Sequence, residues 1–213
     1  DDKMEEPTAY EDYPNPDASP VKLYLSAGSP EKGALSSSPL AKQGKETLVD
    51  NFSFSGEALV QAENTNHRML FVTPVLKEDV HLSGLSTIKI KASSSKHAVN
   101  LSVWMVSLPW NNRRDAKITD NIITRGWADL QNHKSLTESA PLKPGKFYEM
   151  TFELQPDDQI IPAGQQIGLM IFSSDRNFTL HPKPGTKLTV YLDGTSIEIP
   201  VVGGIEAFEN AIK

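Results

Sequence analysis

The sequence predicts an all-β protein: a jelly-roll or galactose-binding-like β-sandwich with an extended N-terminal lead-in and a short C-terminal helix. Three observations lead to this prediction. Apolar and polar residues alternate with a period of two in five segments, two further segments are apolar throughout, and Gly/Pro turn motifs separate them. Many short strands joined by such turns, with almost no helical spacing, are typical of sandwiches and jelly rolls.

The alternating segments are predicted strands with one buried face. The clearest is 147–155, in which Tyr148, Met150, Phe152 and Leu154 alternate with polar residues. Successive side chains leave opposite faces of a strand, so strict alternation places all four on one face. The same pattern occurs at residues 21–26, 86–93, 187–193 and 196–201.

Two runs, 100–108 and 167–174, are apolar on both faces and are predicted to be central strands covered on both sides. Pro followed by Gly within 143–146 and 183–186 predicts type II turns. Asp193-Gly194 predicts a hairpin between the last two alternating segments. Pro200 predicts that the final strand lies at a sheet edge, because proline cannot donate a ladder hydrogen bond.

The chain divides by composition into three parts. Residues 1–20 are acidic and proline-rich, which predicts an extended lead-in from an upstream segment, with Tyr10 and Tyr13 as surface anchors. Residues 21–204 form the predicted sandwich. Residues 205–213 form the tail, and the spacing of its apolar residues predicts a short helix, the only one expected.

Composition excludes several classes of protein. The 213 residues include no cysteine, which rules out disulfides, thiolate metal sites and a cysteine nucleophile. The formal net charge of −6 argues against nucleic-acid binding, which depends on clustered Lys and Arg. No segment approaches the ~18 apolar residues of a membrane helix. We therefore expect neither a nucleic acid nor a membrane as partner.

Catalytic signatures are absent from the sequence. It contains no G-x-S-x-G, H-E-x-x-H, P-loop or G-x-G-x-x-G motif. The acid pairs Glu78-Asp79 and Asp157-Asp158 lack the further oxygen ligands that a calcium loop needs, and solvated turns are favoured there. No catalytic, cofactor-binding or metal-ligating residue is assigned. The five histidines are scattered along the chain, at His67, His81, His97, His133 and His181.

The tryptophans leave one alternative function open. Trp104 lies inside an apolar run and is predicted to be in the core, whereas Trp110 and Trp127 lie at loop edges. If exposed, these two indoles would suit a free-standing carbohydrate-binding module, although buried or interface packing is favoured. An enzyme assembled from scattered His and Asp residues is a third reading with less support.

Two segments, 69–84 and 122–175, resemble the C-terminal β-sandwich of X-prolyl dipeptidyl aminopeptidases. That sandwich is shared with cocaine esterase-like and α-amino-acid ester hydrolases. The string from Arg125-Gly126-Trp127 to Asn132 is more similar to the X-prolyl peptidases than to the esterases. The resemblance covers residues 10–204.

The resemblance implies a role outside catalysis for this chain. Members of the family are serine peptidases that release N-terminal X-Pro dipeptides, and their triad belongs to an α/β-hydrolase domain that precedes the sandwich. The implied parent is cytoplasmic, homodimeric and free of cofactors, with proline-containing peptides as substrates. The chain itself is then an inactive module that packs on its upstream hydrolase domain, and we expect an exposed apolar patch where it docks.

Overall fold

A computed structural model describes residues 12–117, 120–135 and 137–213. These residues contain a 13-stranded sheet and two α-helices. The helices are α1 (Gly56–Gln61) and α2 (Gly204–Ile212). The strands are β1 (Ala18–Ser26), β2 (Gly33–Ser36), β3 (Lys45–Val49), β4 (Met69–Val72), β5 (Val80–Gly84), β6 (Thr87–Ser94), β7 (Asn100–Leu108), β8 (Ile122–Asp129), β9 (Phe147–Glu153), β10 (Asp157–Ile161), β11 (Gln166–Phe172), β12 (Lys187–Tyr191) and β13 (Ser196–Val202).

The strands form one hydrogen-bonded path in the order β3-β12-β6-β13-β1-β2-β4-β11-β7-β8, with β9 on β6 and β10 on β5. All pairs are antiparallel except β2 with β4. Apolar side chains from both halves of this path meet in one core, to which α2 adds Phe208 and Ala211. The all-β sandwich and its C-terminal helix are confirmed, while the jelly-roll topology stays a prediction.

The two wholly apolar runs are β7 and β11, and both are covered on each face as predicted. Alternate residues of β7, such as Val103 and Met105, point into the main core. The intervening residues, Trp104 and Val106, pack in a second apolar cluster beneath α1. A Cβ on Gly56 of α1 would lie 2.3 Å from the Trp104 ring, so only glycine permits this close approach. Helix α1 was not anticipated, because its six residues span less than two helical turns.

The predicted hairpin at Asp193-Gly194 is wrong. Strands β12 and β13 do not pair with each other; both pair with β6, at residues 92–94 and 87–89 respectively. Residues 192–194 form a 3₁₀ turn between them, in which the Asp193 carboxylate accepts hydrogen bonds from the N–H groups of Gln43 and Gly44. The chain therefore continues along β6 after a local bulge rather than reversing.

The predicted edge position of Pro200 is also wrong, because β13 lies between β1 on one side and β5 and β6 on the other. On the β1 side, Pro200 lies opposite Pro20, and neither residue has an N–H to donate. On the other side, Pro200 falls between the pairing of Glu198 with β6 and that of Val201 with β5. Proline is tolerated in β13 because the described strands β5 and β6 do not pair with it at this position.

Both predicted Pro-Gly turns are supported by positive φ angles, +76° at Gly145 and +74° at Gly185.

Of the two predicted anchor residues, Tyr10 lies outside the described residues. Tyr13 is 51 % exposed, and its hydroxyl donates to the Asp157 carbonyl at 3.4 Å. No helix in the described part of the chain is long and apolar enough to cross a membrane.

Arg68 is a charged side chain enclosed in the fold, with 0 % of its surface exposed. Its guanidinium donates to carbonyl oxygens of the chain around α1, those of Leu59 and Ala62, at 3.3 and 2.6 Å. It also donates to the carbonyls of Pro30 and Glu31, which precede β2. Burial lowers the pKa of Arg68 from its usual value. Arg68 thus joins α1 to the segment before β2 through backbone oxygens rather than through a carboxylate.

Candidate functional site: an aromatic surface supported by Asp175

A buried carboxylate joins β7, β8 and the loop after β11. Asp175 is 2 % exposed, and its Oδ2 atom accepts hydrogen bonds from the indole Nε1 atoms of Trp104 and Trp127, each at 2.9 Å. The two indoles lie on the same face because Trp104 pairs with Arg125, and Ser102 with Trp127, in the β7–β8 ladder. One carboxyl oxygen therefore accepts from two donors and fixes both rings.

The loop after Asp175 is a tight turn that presents Phe178 outward. The Asp175 carbonyl accepts hydrogen bonds from the N–H groups of Phe178 and Thr179, at 2.9 and 3.0 Å. The Thr179 hydroxyl accepts from the Asp175 N–H at 3.0 Å and donates to its carbonyl. The Phe178 ring stacks on Trp127 with centroids 5.0 Å apart. The backbone of Asp175 thus holds the turn, and its carboxylate holds the Trp127 ring on which Phe178 stacks.

Arg125 completes this arrangement. Its guanidinium carbon lies 4.7 Å from the centroid of the Phe178 ring, 5.5 Å from that of Trp104 and 5.7 Å from that of Trp127. Such contacts are favourable because the ring faces carry partial negative charge. The ion pairs between described residues all lie elsewhere. The charge of Arg125 is therefore held by aromatic rings, with no carboxylate of the described residues paired to it.

A second loop extends the same surface. Phe52, which follows β3, stacks on His181 with centroids 4.7 Å apart, and the Arg176 guanidinium donates to the Ser53 carbonyl at 3.5 Å. We call the whole the aromatic surface. It comprises Phe52, Arg125, Trp127, Phe178 and Leu180, and Leu180 is 91 % exposed.

The acid pair Asp157-Asp158 lies beside this surface, next to His81 and Ser83 of β5. Asp158 accepts hydrogen bonds from Ser83 Oγ at 2.7 Å and, with its other oxygen, contacts His81 Nε2 at 2.9 Å. Ser83 Oγ also accepts from the Asn15 N–H at 2.9 Å. This is not a nucleophilic triad, because the buried Ser83 hydroxyl donates to the carboxylate and not to the imidazole.

The two carboxyl groups have opposite pKa shifts. Burial raises the pKa of Asp157 to about 6; the N–H of Asp158 partly offsets this, and the Asp158 charge adds to it. Its Oδ2 atom is buried and has no hydrogen-bond partner. Burial also acts to raise the pKa of Asp158, but the hydrogen bonds from Ser83 and His81 outweigh it and lower the pKa overall.

These shifts predict how stability depends on pH. The folded state binds the Asp157 proton more tightly than the unfolded state does, so this group makes stability fall as pH rises from about 4 to about 6. We expect the Asp157→Asn variant to lose this slope, so that its free energy of unfolding, relative to the parent, increases across that window. Urea unfolding at a series of pH values measures the difference.

Asp158→Asn is the matched control, because it retains Asp157. The pKa of Asp158 is lowered in the folded state. Its contribution to stability is therefore complete above the unfolded-state pKa of 3.8, and it is lost only as pH falls through the lower folded-state pKa. The control is expected to keep most of the Asp157 slope between about pH 4 and 6. Parallel pH profiles for the parent and Asp157→Asn would contradict the assignment.

The remaining histidines do not converge on a site. The side chains of His67, His97 and His133 each contact a backbone carbonyl, those of Val49, Leu142 and Leu130. Within the described residues there is no group of three or more His, Cys, Asp or Glu side chains placed to hold a metal ion.

Trp104 is in the core, as predicted. Trp110 and Trp127, the two indoles considered for carbohydrate binding, are both half-buried. Trp110 lies against the second apolar cluster, and one face of Trp127 is covered by Phe178. Neither indole is fully exposed, and the carbohydrate-binding alternative stays a prediction.

Comparison with known families decides the classification. The family described as the X-Pro dipeptidyl-peptidase C-terminal non-catalytic domain matches residues 2–206. The chain belongs to this family. It is 57 % identical over 209 residues to a putative Xaa-Pro dipeptidyl-peptidase of Rhodopirellula baltica, a match covering 98 % of this chain and 33 % of that protein. A second putative Xaa-Pro dipeptidyl-peptidase, from Bacillus anthracis, is 35 % identical over 195 residues, a match covering 89 % of this chain and 30 % of that protein. This C-terminal domain thus spans about a third of the length of the curated relatives it matches.

Solved structures share the fold of this C-terminal domain. An aminopeptidase from a marine sediment archaeon, Thaumarchaeota archaeon, superposes with a TM-score of 0.70 at 18 % identity, covering 91 % of this chain and 38 % of that one. An α-amino acid ester hydrolase superposes with a TM-score of 0.63 at 18 % identity, covering 85 % of this chain and 36 % of that one. At this identity the likeness concerns the fold alone.

The aromatic surface was only partly visible in the sequence. The Arg125-Gly126-Trp127 string carries part of the family resemblance, whereas the sequence assigns no role to Asp175, Phe178 or Phe52. Asp175 follows an apolar strand, which is a weak signal for a buried carboxylate. Its indole partners are 71 and 48 residues away, so pattern alone did not connect them.

Proposed function

We propose that this chain is the non-catalytic C-terminal sandwich of a serine-type X-Pro dipeptidyl-peptidase, and that it supports an α/β-hydrolase domain preceding it. The family match over residues 2–206 carries the proposal. In the Rhodopirellula relative, about two thirds of the protein lies outside the matching region, which leaves room for a separate catalytic domain. The substrates of the parent enzyme are then proline-containing peptides, and the parent is cytoplasmic and homodimeric.

Two structural features agree with a supporting role. The Ser–Asp–His contact on β5 and β10 lacks the serine-to-imidazole hydrogen bond of a nucleophile, so this chain contributes no triad through it. The aromatic surface, in contrast, exposes apolar rings held by buried hydrogen bonds, as expected of a face that packs against another domain.

The supporting role is tested by truncation of the longer protein at residue 20 in the present numbering. Removing the sandwich exposes the hydrolase face that it covered, so we expect a lower temperature of half-inactivation and a tendency to aggregate. Activity after heating, together with light scattering, measures both effects. A truncated enzyme with unchanged kcat/KM and unchanged thermal inactivation would contradict the supporting role.

A further inference from the structure

The aromatic surface gathers apolar area that the sandwich does not need for its own core. Phe52, Phe178 and Leu180 are 37, 53 and 91 % exposed, and Trp127 is half-buried and stacked on Phe178. Other exposed apolar side chains of the described residues, such as Leu40, Val75 and Ile205, lie in separate loops or on α2. Contiguous exposed apolar side chains are typical of protein interaction sites, whereas isolated ones are ordinary.

The surface is ordered before any partner binds. Asp175 fixes Trp127 through its Oδ2 atom, and four hydrogen bonds between Asp175, Phe178 and Thr179 fix the turn that carries Phe178. A rigid aromatic group loses little conformational entropy on binding, which is why preorganised aromatic and arginine side chains dominate the energetics of interfaces.

The charge of the surface indicates what it binds. The chain carries a net charge of −6, yet this face presents Arg125 without a carboxylate partner among the described residues. The carboxylate beneath it, Asp175, is buried and already accepts two hydrogen bonds. A complementary face is therefore apolar opposite Phe178 and Leu180, with a carboxylate opposite Arg125.

The N-terminal part of the described chain approaches this same side of the molecule. A groove of about 300 Å³ is lined by Arg125 together with Asp157 and Asp158. Tyr13 contacts the Asp157 carbonyl, and Asn15 contacts Ser83, which donates to Asp158. The first described residues thus lie beside the aromatic surface, and a domain tethered through them has a raised effective concentration there.

We propose that the aromatic surface is the face on which the sandwich docks against the preceding domain of the same polypeptide. That domain places an apolar recess over Phe178 and Leu180 and a carboxylate against Arg125. The inference rests on the proposed function and adds to it the docking face and the chemistry of the complementary surface.

Hydrogen–deuterium exchange on the full-length protein, compared with the 213-residue chain, tests the inference. In the full-length protein we expect exchange to slow by about tenfold or more in peptides covering 50–55, 124–128 and 176–182. Peptides covering 37–44, beside the separate groove lined by Tyr24, Leu40 and Tyr191, are expected to exchange equally in both proteins.

Variants of the full-length protein provide a second readout. Leu180→Asp changes a side chain that is 91 % exposed, and Leu40→Asp makes the same change at a side chain that is 57 % exposed and lies away from the aromatic surface. We expect Leu180→Asp to remove the protection and to lower the temperature of half-inactivation, and we expect Leu40→Asp to do neither.

Other outcomes overturn the inference in distinct ways. Slower exchange confined to residues 37–44 would place the docking face at the separate groove, which would overturn this inference but not the proposed function. Protection that appears in the 213-residue chain alone as its concentration rises would make a second copy the occupant. Equal exchange at every surface in both proteins would overturn the docking face and the supporting role together.

Discussion

Arg68→Leu is expected to destabilise the folded chain by about 3–5 kcal/mol, since the guanidinium donates to four carbonyl oxygens in a site closed to water. Leucine is shorter and has no donor, so all four oxygens would lose their partner and a cavity would open where the guanidinium lies. The loss is large compared with the total stability of a domain, about 5–15 kcal/mol. Urea unfolding followed by circular dichroism measures the change.

Arg113→Leu is the matched control, because the Arg113 side chain is 76 % exposed and its contact with Asp115 is at the surface. Its effect is expected to stay within about 0.5 kcal/mol. If Arg68→Leu unfolds at the same urea concentration as the control, the buried guanidinium does not hold α1 to the segment before β2.

Asp175→Leu is expected to cost about 3–5 kcal/mol, because it leaves the indole N–H of Trp104 buried without an acceptor and releases that of Trp127. Hydrogen bonds to ionised groups contribute about 1.5–3 kcal/mol each. The released Trp127 indole is expected to move toward solvent, so the tryptophan emission should shift to longer wavelength. Unfolding curves and fluorescence spectra of the variant measure the two effects.

Asp175→Asn separates the charge of the side chain from its shape. A single oxygen, Oδ2, accepts both indole hydrogen bonds, so the asparagine oxygen can take the same place without the charge. The cost is expected to fall to about 1–2 kcal/mol, with native-like fluorescence. Asp115→Asn, at a side chain that is 83 % exposed, is the surface control. Equal costs for Asp175→Leu and Asp175→Asn would show that the indoles do not depend on this oxygen.

The fold was predictable to the extent that local pattern determines it. Alternation in 147–155 and continuous apolarity in 100–108 identified β9 and β7 because burial repeats with the period of the strand. The hairpin predicted at Asp193-Gly194 and the edge position predicted for Pro200 were wrong, because the structure at both places depends on which strands lie alongside. Only pairing with β6 shows that the chain continues past Asp193, and only the change of partner from β6 to β5 shows how Pro200 fits inside a sheet.

The candidate site was less predictable, for a related reason. Its central contact joins Asp175 to indoles on two strands that come much earlier in the chain, and Phe52 enters from a third loop. Resemblance pointed to the Arg125-Gly126-Trp127 string without giving its physical role. The structure supplies that role: a buried carboxylate holds Trp127, and both Trp127 and Arg125 contact the Phe178 ring at the surface.

The most direct test of a non-catalytic module is a chromogenic X-Pro-p-nitroanilide assay of two proteins, the full-length enzyme and the purified 213-residue chain. The full-length enzyme is expected to hydrolyse the substrate and to lose activity with a serine-directed inhibitor, whereas the isolated chain is expected to show no turnover. Turnover by the isolated chain that the same inhibitor abolishes would contradict the assignment, because the nucleophile would then lie within these residues.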